Sequence, residues 1–362
     1  MKKKTIPELT APVGDFASLE AAFSAGADSV YFGVGSLHMR SHCAPPFSFQ
    51  DLQEVVHLCQ KRGVASYATL NALLYDEDIE QMKESLRFLK KAGVSGVIVS
   101  DVSAMEFAAS LQLPVHVSTQ VNIGNIEAVR FFSRFADVIV LARELSLEQI
   151  QNICREIRLQ NICGPSQELV RIEVFVHGAL CVSIAGKCYM SLANYQTSAN
   201  RGQCYQPCRR KYRVMDEETG QELVIDNQYV MSPKDLCTIG CLSQLVASGI
   251  SICKIEGRGR SADYVHVVVG AYREALDAIS EGCFSDEKHK EWLEKLRSVY
   301  NRGFWENGYY LGKSLGEWCG SYGSQATKKK IYIGKITNYF TTLKVAEIKV
   351  ENGLFQKGEE LV

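Results

Sequence analysis

The chain has 362 residues, of which 46% are hydrophobic and 22% are charged, a composition that predicts one large globular domain plus a smaller unit. Its net charge of −1 at pH 7 excludes a protein that coats nucleic acid by charge alone, although a local basic patch is compatible with it. The chain has no apolar run long enough for a membrane span, and its start, MKKKTIPELTAP, lacks the apolar core of a signal peptide. We therefore expect a cytoplasmic protein without a membrane span.

Cysteine residues are numerous and clustered. The chain has 13 of them, and six fall within the 61 residues from Cys181 to Cys241. In a reducing compartment, cysteines more often bind metal or take part in chemistry than form disulfides. This segment is therefore a candidate metal site.

Short β-like runs alternate with helical patterns from residue 8 to about residue 260. The predicted strands span residues 8–12, 29–33, 65–70, 96–100, 114–118, 137–142, 171–177 and 251–256. The clearest helical patterns cover residues 16–27, 49–63, 77–93 and 261–282, and a further helix is predicted within 286–303. This alternation favours an α/β fold of the closed (β/α)8 TIM-like barrel type, and an open doubly wound sheet is the alternative.

A long insertion interrupts the predicted barrel, which covers residues 1–303 as a whole. Residues 178–250 follow the seventh strand, break the strand–helix rhythm and contain the cysteine cluster. After the barrel we predict a linker over residues 304–327. Residues 328–362 read as short strands with an Asn-Gly turn at 352–353, which indicates the start of a small C-terminal β-domain.

Barrel enzymes carry their functional residues at the C-terminal ends of the strands. The residues that follow the predicted strands are polar or conformationally permissive: Gly14, Asn71, Asp101, Gln120, Asn122, Arg143, Glu144, His177, Glu256 and Arg258. We predict catalytic roles for His177, Glu144 and Glu256, and substrate contacts for Gln120 and Asn122. The alternative interpretation is that strand ends border loops and are polar in any barrel.

The clustered cysteines form three pairs: C-x6-C (Cys181 and Cys188), C-x3-C (Cys204 and Cys208) and C-x3-C (Cys237 and Cys241). Four thiolates complete either a [4Fe–4S] cluster or a tetrahedral zinc site. The loose first pair is less typical of zinc, so the spacing favours a cluster, and a zinc-stabilised binding module is the alternative. Buried apolar packing explains the cysteines between residues 181 and 208 poorly, because they stand beside Gly, Arg, Lys and Gln.

A glycine-rich turn, GRGRS, joins the last predicted strand to its helix. Backbone amides at a helix N-terminus bind anions, and Arg258 and Arg260 are suited to bidentate recognition of a carboxylate or phosphate. The sequence therefore predicts an anion site at this turn. A tight turn with two solvated arginines is the alternative.

A second basic stretch lies directly beside the cluster cysteines. Arg209 and Arg210 begin the run RRKYR, which contains Tyr212 and lies four residues after Tyr205. Cations that bind phosphates next to aromatic rings that stack on bases are suited to hold unpaired RNA. A solvated charge run is the alternative.

Several long motifs occur in order along the chain: LTAPVGDFASLEAAFSAGADSVYFG, HVSTQVNIGN, VFVHGALCVSIAGKCYMS, ANRGQCYQPCRRKY, SPKDLC and KIEGRGRS. With them the chain resembles the U32 peptidase family, the collagenase-like group, over essentially its whole length. The resemblance implies an iron–sulfur enzyme that hydroxylates without oxygen, with prephenate as the hydroxyl donor. The wobble uridine of tRNA is the favoured substrate, and a cytidine of ribosomal RNA or a ubiquinone precursor is the alternative. It leaves room for a paired subunit of the same family as a partner.

The resemblance also implies the cluster ligands, which by motif are Cys181 (GALC), Cys188 (GKC), Cys204 (RGQC) and Cys237 (KDLC), with Cys208 and Cys241 as rivals for the fourth place. The family name suggests a peptidase instead. The sequence contains no HExxH, and its G-x-S-x-G match, GKSLG at 312–316, lies in the predicted linker and not at a turn from a strand to a helix, so nothing in it argues for a protease of a known type.

Overall fold

The structure is a computed structural model that describes residues 6–42, 47–223, 229–312, 317–328, 331 and 333–358. Its strands are β1 (Glu8–Pro12), β2 (Ser29–Gly33), β3 (Ala65–Leu70), β4 (Gly96–Val99), β5 (Val115–Val117), β6 (Val138–Val140), β7 (Arg171–Gly178), β8 (Val214–Met215), β9 (Glu222–Leu223), β10 (Asp235–Cys237), β11 (Ile252–Ile255), β12 (Phe304–Glu306), β13 (Gly334–Phe340) and β14 (Val345–Val350). Its α-helices are α1 (Phe16–Ser24), α2 (Leu52–Arg62), α3 (Ile79–Ala92), α4 (Val102–Ser110), α5 (Ile126–Phe132), α6 (Leu147–Leu159), α7 (Met190–Tyr195), α8 (Leu242–Ala247), α9 (Ala262–Glu281) and α10 (Asp286–Ser298).

Strands β1 to β7 and β11 form a closed parallel ring. Neighbours in the chain pair in order, and β11 closes the ring because it pairs with β1 on one side and with β7 on the other. In the closing register Ile252 is the partner of both Glu8 and Glu173. The (β/α)8 barrel prediction is therefore confirmed, and each predicted barrel strand matches an observed one to within two residues at either end.

The sequence forms these elements for local reasons. Helix α1 begins at a capping box, in which the Asp15 carboxylate accepts a hydrogen bond from the backbone N–H of Ser18 at 2.7 Å. Helix α3 buries Met82, Leu86 and Leu89, whose spacing of four and three residues places them on one helical face. Burying each such side chain contributes about 2 kcal/mol, so the ring of helices is fixed to the barrel largely by apolar contact.

The insertion lies across the C-terminal end of the barrel and returns as an extra strand. Strand β10 pairs antiparallel with the end of β7, where Cys237 faces His177 in the register, and β12 pairs parallel with β10 outside the ring. Residues 304–327, predicted as a linker, thus begin with a strand of the main sheet. The same stretch also bonds to the barrel body through its backbone, as Thr327 N–H donates to the carbonyl of Arg297 at 2.9 Å.

Strands β13 and β14 form an antiparallel hairpin with mostly exposed side chains. Its turn falls at residues 341–344, so the Asn-Gly pair at 352–353 lies after β14 and not between the two strands. Residues 1–5 at the start of the sequence lie outside the described residues. So do residues 329, 330, 332 and 359–362 of the predicted β-domain. Within the described part of the chain, no helix is both long and apolar enough to cross a membrane.

Candidate active site at the mouth of the barrel

A cavity of about 320 Å³ opens where the C-terminal ends of the barrel strands meet the cysteine-rich insertion. Predicted strand-end residues line one side of it: Asn71, Gln120, Arg143, Glu144, Glu256 and Arg258. Residues 179–191 and 204–209 of the insertion contribute to the other side. The volume is that of a site for a small molecule or a single nucleobase.

The electrostatic centre of the cavity is Glu256 among three arginines. Its carboxylate lies 2.9 Å from a guanidinium nitrogen of Arg40 and 4.0 Å from one of Arg143. Burial alone would raise the pKa of Glu256, but Arg40, Arg143 and Arg258 together hold that pKa at about 2. Glu256 is therefore a fixed anion at neutral pH, so the catalytic role predicted for it is not that of a general acid or base, and the carboxylate is suited to position the arginines.

Two of these arginines have a hydrogen-bond donor without a partner among the described residues. Arg143 donates to the carbonyl of Ala179 at 3.0 Å and lies 4.0 Å above the ring of Phe175. Arg258 is 6% exposed and donates to the hydroxyl of Thr69. The Nε atoms of both arginines are buried and have no hydrogen-bond partner among the described residues. Such donors are the natural partners of an anionic ligand.

Beneath the arginines, the cavity reaches a buried ion pair inside the barrel. Lys254 Nζ lies 2.7 Å from the carboxylate of Glu173, and His116 Nδ1 lies 3.4 Å from the other oxygen of that carboxylate. Burial by itself would raise the pKa of Glu173, but Lys254 and His116 bring it down to about 2. Lys254 and Arg40 are not among the site residues predicted from the sequence. A lysine in the middle of an apolar strand was a usable signal for the first, whereas Arg40 lies in a loop without a pattern.

Four thiols of the insertion share this cavity. Burial and, to a smaller extent, the three other thiols raise the pKa of the Cys208 thiol to about 11, although Arg209 opposes them. The Cys188 sulfur accepts a hydrogen bond from the backbone N–H of Met190 at 3.4 Å. Crowded thiols that receive backbone N–H groups have the chemistry of iron–sulfur ligands. The four are Cys181, Cys188, Cys204 and Cys208.

The other candidate ligands lie elsewhere. Cys237 is fully buried in the apolar core on β10, and burial raises the pKa of its thiol to about 12. Cys241 is buried in the same core, and neither residue lines the cavity. The structure thus places Cys208, and not Cys237, with the first three cysteines. Among the described residues, no group of three His, Cys, Asp or Glu side chains is arranged to hold a single metal ion.

The cysteine-rich segment is held against the barrel by close backbone contact at Gly202. This glycine has φ of +83°, and a Cβ atom there would lie 2.4 Å from the carbonyl oxygen of His38. The N–H of His42 donates to the Gly202 carbonyl at 3.3 Å, which joins the segment to the loop after β2. That loop also carries Arg40, so cysteines and arginine are positioned by the same contact.

Some predicted catalytic and binding residues lie outside the cavity. His177 is 2% exposed, its ring packs against Tyr272 and Phe304, and burial lowers its pKa to about 3. It does not line the cavity, so the structure does not support its predicted catalytic role. Asn122 ends a short 3-10 helix, where its side chain donates to the carbonyl of Gln120 at 3.1 Å.

The predicted basic residues divide between structural and open positions. Arg209 makes hydrogen bonds within the protein, because it donates to the Ser232 hydroxyl at 2.9 Å and to the Pro233 carbonyl at 2.8 Å. Arg260 lines the cavity and stacks 3.5 Å above the ring of Tyr300. Arg210 is exposed on the outer side of the insertion and does not reach the cavity.

The fold and the site define a (β/α)8-barrel protein with a cationic, thiol-rich mouth. The model of peptidase family U32 matches residues 14–319, and the chain belongs to this family. The resemblance inferred from the motifs is therefore confirmed.

Relatives in this family have names of two kinds. A protein of Porphyromonas gingivalis called collagenase is 50% identical over 355 residues, covering 98% of this chain and 86% of its own length. A tRNA hydroxylation protein of Bacillus subtilis is 31% identical over 98% of this chain and 82% of its own length. The 23S rRNA 5-hydroxycytidine synthase of Escherichia coli is 36% identical over 76% of this chain, which is 40% of its own length.

Proposed function

We propose that this protein is an iron–sulfur enzyme that hydroxylates RNA without oxygen, with the wobble uridine of tRNA as substrate and a prephenate-like dicarboxylate as hydroxyl donor. The observation that carries the proposal is that four cysteines and the three arginines around Glu256 line one cavity. Relatives named for tRNA and rRNA hydroxylation, at 31% and 36% identity, support the choice of RNA. An RNA substrate also fits the predicted cytoplasmic location, and a second subunit of the family is a further proposed partner.

The proposed cluster ligands are the four cysteines of the cavity. Cys208 is the fourth ligand in this proposal, where the family resemblance implies Cys237. Burial first, and then repulsion from the other thiolates, raises the pKa of Cys208, and a metal centre that takes up the thiolate charge relieves both penalties. When bound, a [4Fe–4S] cluster supplies one-electron chemistry and a Lewis-acidic iron. The protein's own contribution is to hold the thiols beside the arginines at the end of the barrel.

The proposed donor site is formed by the arginines around Glu256. Three guanidinium groups face one carboxylate there, which leaves two positive charges to meet the two carboxylates of prephenate. Arg143 and Arg258 hold unused Nε donors, and Glu256 fixes the position of Arg40. Gln120 and Glu144 line the same cavity and are proposed to contact the base.

The ligand assignment is tested by a matched pair of variants, Cys208→Ala and Cys237→Ala. After anaerobic purification, iron and acid-labile sulfide per chain should be near four each for the wild type, as a [4Fe–4S] cluster requires. Cys208→Ala should lose most of both, whereas Cys237→Ala should retain them, since that thiol lies in the core. Retention in Cys208→Ala with loss in Cys237→Ala would reverse the assignment, and iron-free wild-type protein would overturn the cluster.

The reaction is tested in cells. Mass spectrometry of tRNA nucleosides from a strain that lacks the gene should show loss of hydroxylated uridine, restored by the wild-type gene. Arg143→Lys keeps the charge but removes the planar group that stacks on Phe175, and we expect it to restore little. Unchanged tRNA in the deletion strain would contradict the tRNA assignment, and rRNA nucleosides would then be analysed in the same samples.

A peptidase is the second candidate, because the relative at 50% identity is named collagenase. The assay is gelatin cleavage by the anaerobically purified protein and by Cys204→Ala. Cleavage that is unaffected by the loss of this cysteine would favour the peptidase. A colourless protein with stoichiometric zinc would instead favour the zinc-stabilised module.

A further inference from the structure

The outer face of the cysteine-rich insertion has a row of aromatic rings that the cavity does not use. The Tyr205 ring centroid lies 4.5 Å from that of His42 and 5.0 Å from that of Tyr195. The planes are tilted by 54° and 40°, so the rings do not close into a parallel stack, and Tyr205 stays 42% exposed. The guanidinium of Arg210 lies 5.3 Å from the Tyr195 ring at the end of the row. We refer to His42, Tyr205, Tyr195 and Arg210 as the aromatic row.

The charge around this row favours a polyanionic partner. Between Glu173 and Asp216 the sequence contains six Lys and Arg residues and no Asp or Glu, in a chain whose net charge is −1. Arg201 pairs with Asp78 at 2.6 Å and Arg209 donates to Ser232 and Pro233, whereas Lys187 and Arg210 are exposed. Positive charge without acidic residues in the same stretch is a poor match for a second copy of the same surface, which would repel it. It is a good match for single-stranded nucleic acid.

The row is rigidly placed and adjoins the proposed reaction site. The N–H of Tyr205 donates to the hydroxyl of Ser191 at 3.1 Å, and His42 is fixed through its N–H to Gly202. Tyr205 directly follows Cys204, which lines the cavity. A nucleotide held on the row therefore lies beside the cavity that would receive its neighbour.

We propose that the aromatic row is a stacking platform for unpaired RNA bases next to the target nucleotide, with Arg210 and Lys187 contacting the adjoining phosphates. This inference rests on the proposed RNA-directed function, because it names how the same enzyme grips its substrate. Exposed aromatic rings bind bases of any sequence, whereas a duplex keeps its bases inside and offers only phosphates. The platform thus selects loops over paired stems.

The test is fluorescence anisotropy with a labelled RNA hairpin that has a seven-nucleotide loop, and with a fully paired duplex of the same length. Tyr205→Ala and Tyr195→Ala should each weaken hairpin binding about tenfold, and Tyr205→Phe should bind as the wild type does because it keeps the ring. Tyr322→Ala is the matched control, since Tyr322 is an exposed tyrosine outside the row and should leave binding unchanged. Duplex binding should be weaker and equal in all variants.

Hairpin affinity that is unchanged in both alanine variants, or a loss of equal size for hairpin and duplex, would overturn the platform. So would a Tyr205→Ala variant that binds RNA normally but has lost self-association in sedimentation. Iron and sulfide content, measured on each variant, shows that the cysteine segment is still folded. If ring-dependent binding is found while tRNA from the deletion strain is unchanged, the platform stands and the proposed hydroxylation fails.

Discussion

Replacing Glu256 with glutamine removes the carboxylate that faces Arg40, Arg143 and Arg258 and keeps the shape of the side chain. In the folded protein, Arg40, Arg143 and Arg258 lower the pKa of Glu256 from an ordinary 4.5 to about 2. At 1.36 kcal/mol per pKa unit this corresponds to about 3 kcal/mol of favourable interaction at neutral pH. The side chain is 12% exposed, so solvent screening removes little of it. We expect Glu256→Gln to lower the free energy of unfolding by about this amount.

The assay is urea unfolding of anaerobically purified protein between about pH 3 and pH 7, with Glu144→Gln as control. Glu144 lines the same cavity but is exposed, and its variant should match the wild type to within about 0.5 kcal/mol. Because the folded pKa of Glu256 is depressed, its contribution is complete above pH 4.5 and is lost as the pH falls toward 2. The difference between wild type and Glu256→Gln should therefore shrink below about pH 4.5.

A Glu256→Gln protein as stable as the wild type at pH 7 would refute the reasoning, as would a difference that stays constant on acidification. A dicarboxylate ligand gives a second readout. It should raise the melting temperature of Glu256→Gln more than that of the wild type, since the arginines of the variant have lost their internal counter-charge.

Three further predictions follow from the buried groups and the insertion. Lys254→Met should cost about 3–5 kcal/mol in urea unfolding, because it leaves the Glu173 carboxylate buried without its partner at 2.7 Å, and a second change, Glu173→Gln, should recover much of the loss. Burial lowers the pKa of His177 in the folded protein to about 3 from an ordinary 6.5, so below pH 6.5 the unfolded chain binds a proton that the folded protein does not. Acidification from 6.5 to about pH 5 should therefore lower the free energy of unfolding by about 2 kcal/mol through this residue. His177→Phe should abolish this part of the pH dependence in urea unfolding. Gly202→Ala should lose the iron of the purified protein, because the new Cβ meets backbone, whereas Gly220→Ala, at another positive φ but with nothing nearby, should keep it.

The sequence alone determined the barrel and the segment that carries the cysteines. Strand and helix periods are local properties, and each barrel strand is a short apolar run that the pattern located. The spacing of the cysteines and of GRGRS is also local. It was enough to locate the cysteine-rich segment and the anion-binding turn, whose residues Cys181, Cys188, Cys204 and Arg258 line one cavity in the structure.

Only the tertiary structure decided which of the remaining residues share that cavity. Both C-x3-C pairs have the same spacing, but β10 carries Cys237 into the core while Cys208 stays with the thiols.

The direction of the His177 side chain could not be predicted from the sequence either. Glu173 and Phe175 face the barrel interior, and regular alternation places His177 there too, yet the pairing of β7 with β11 is irregular at this point and the ring packs on Tyr272 of α9 instead. A one-residue irregularity in strand pairing reverses the direction in which a side chain points. The position of such an irregularity depends on contacts between strands that are distant in the sequence.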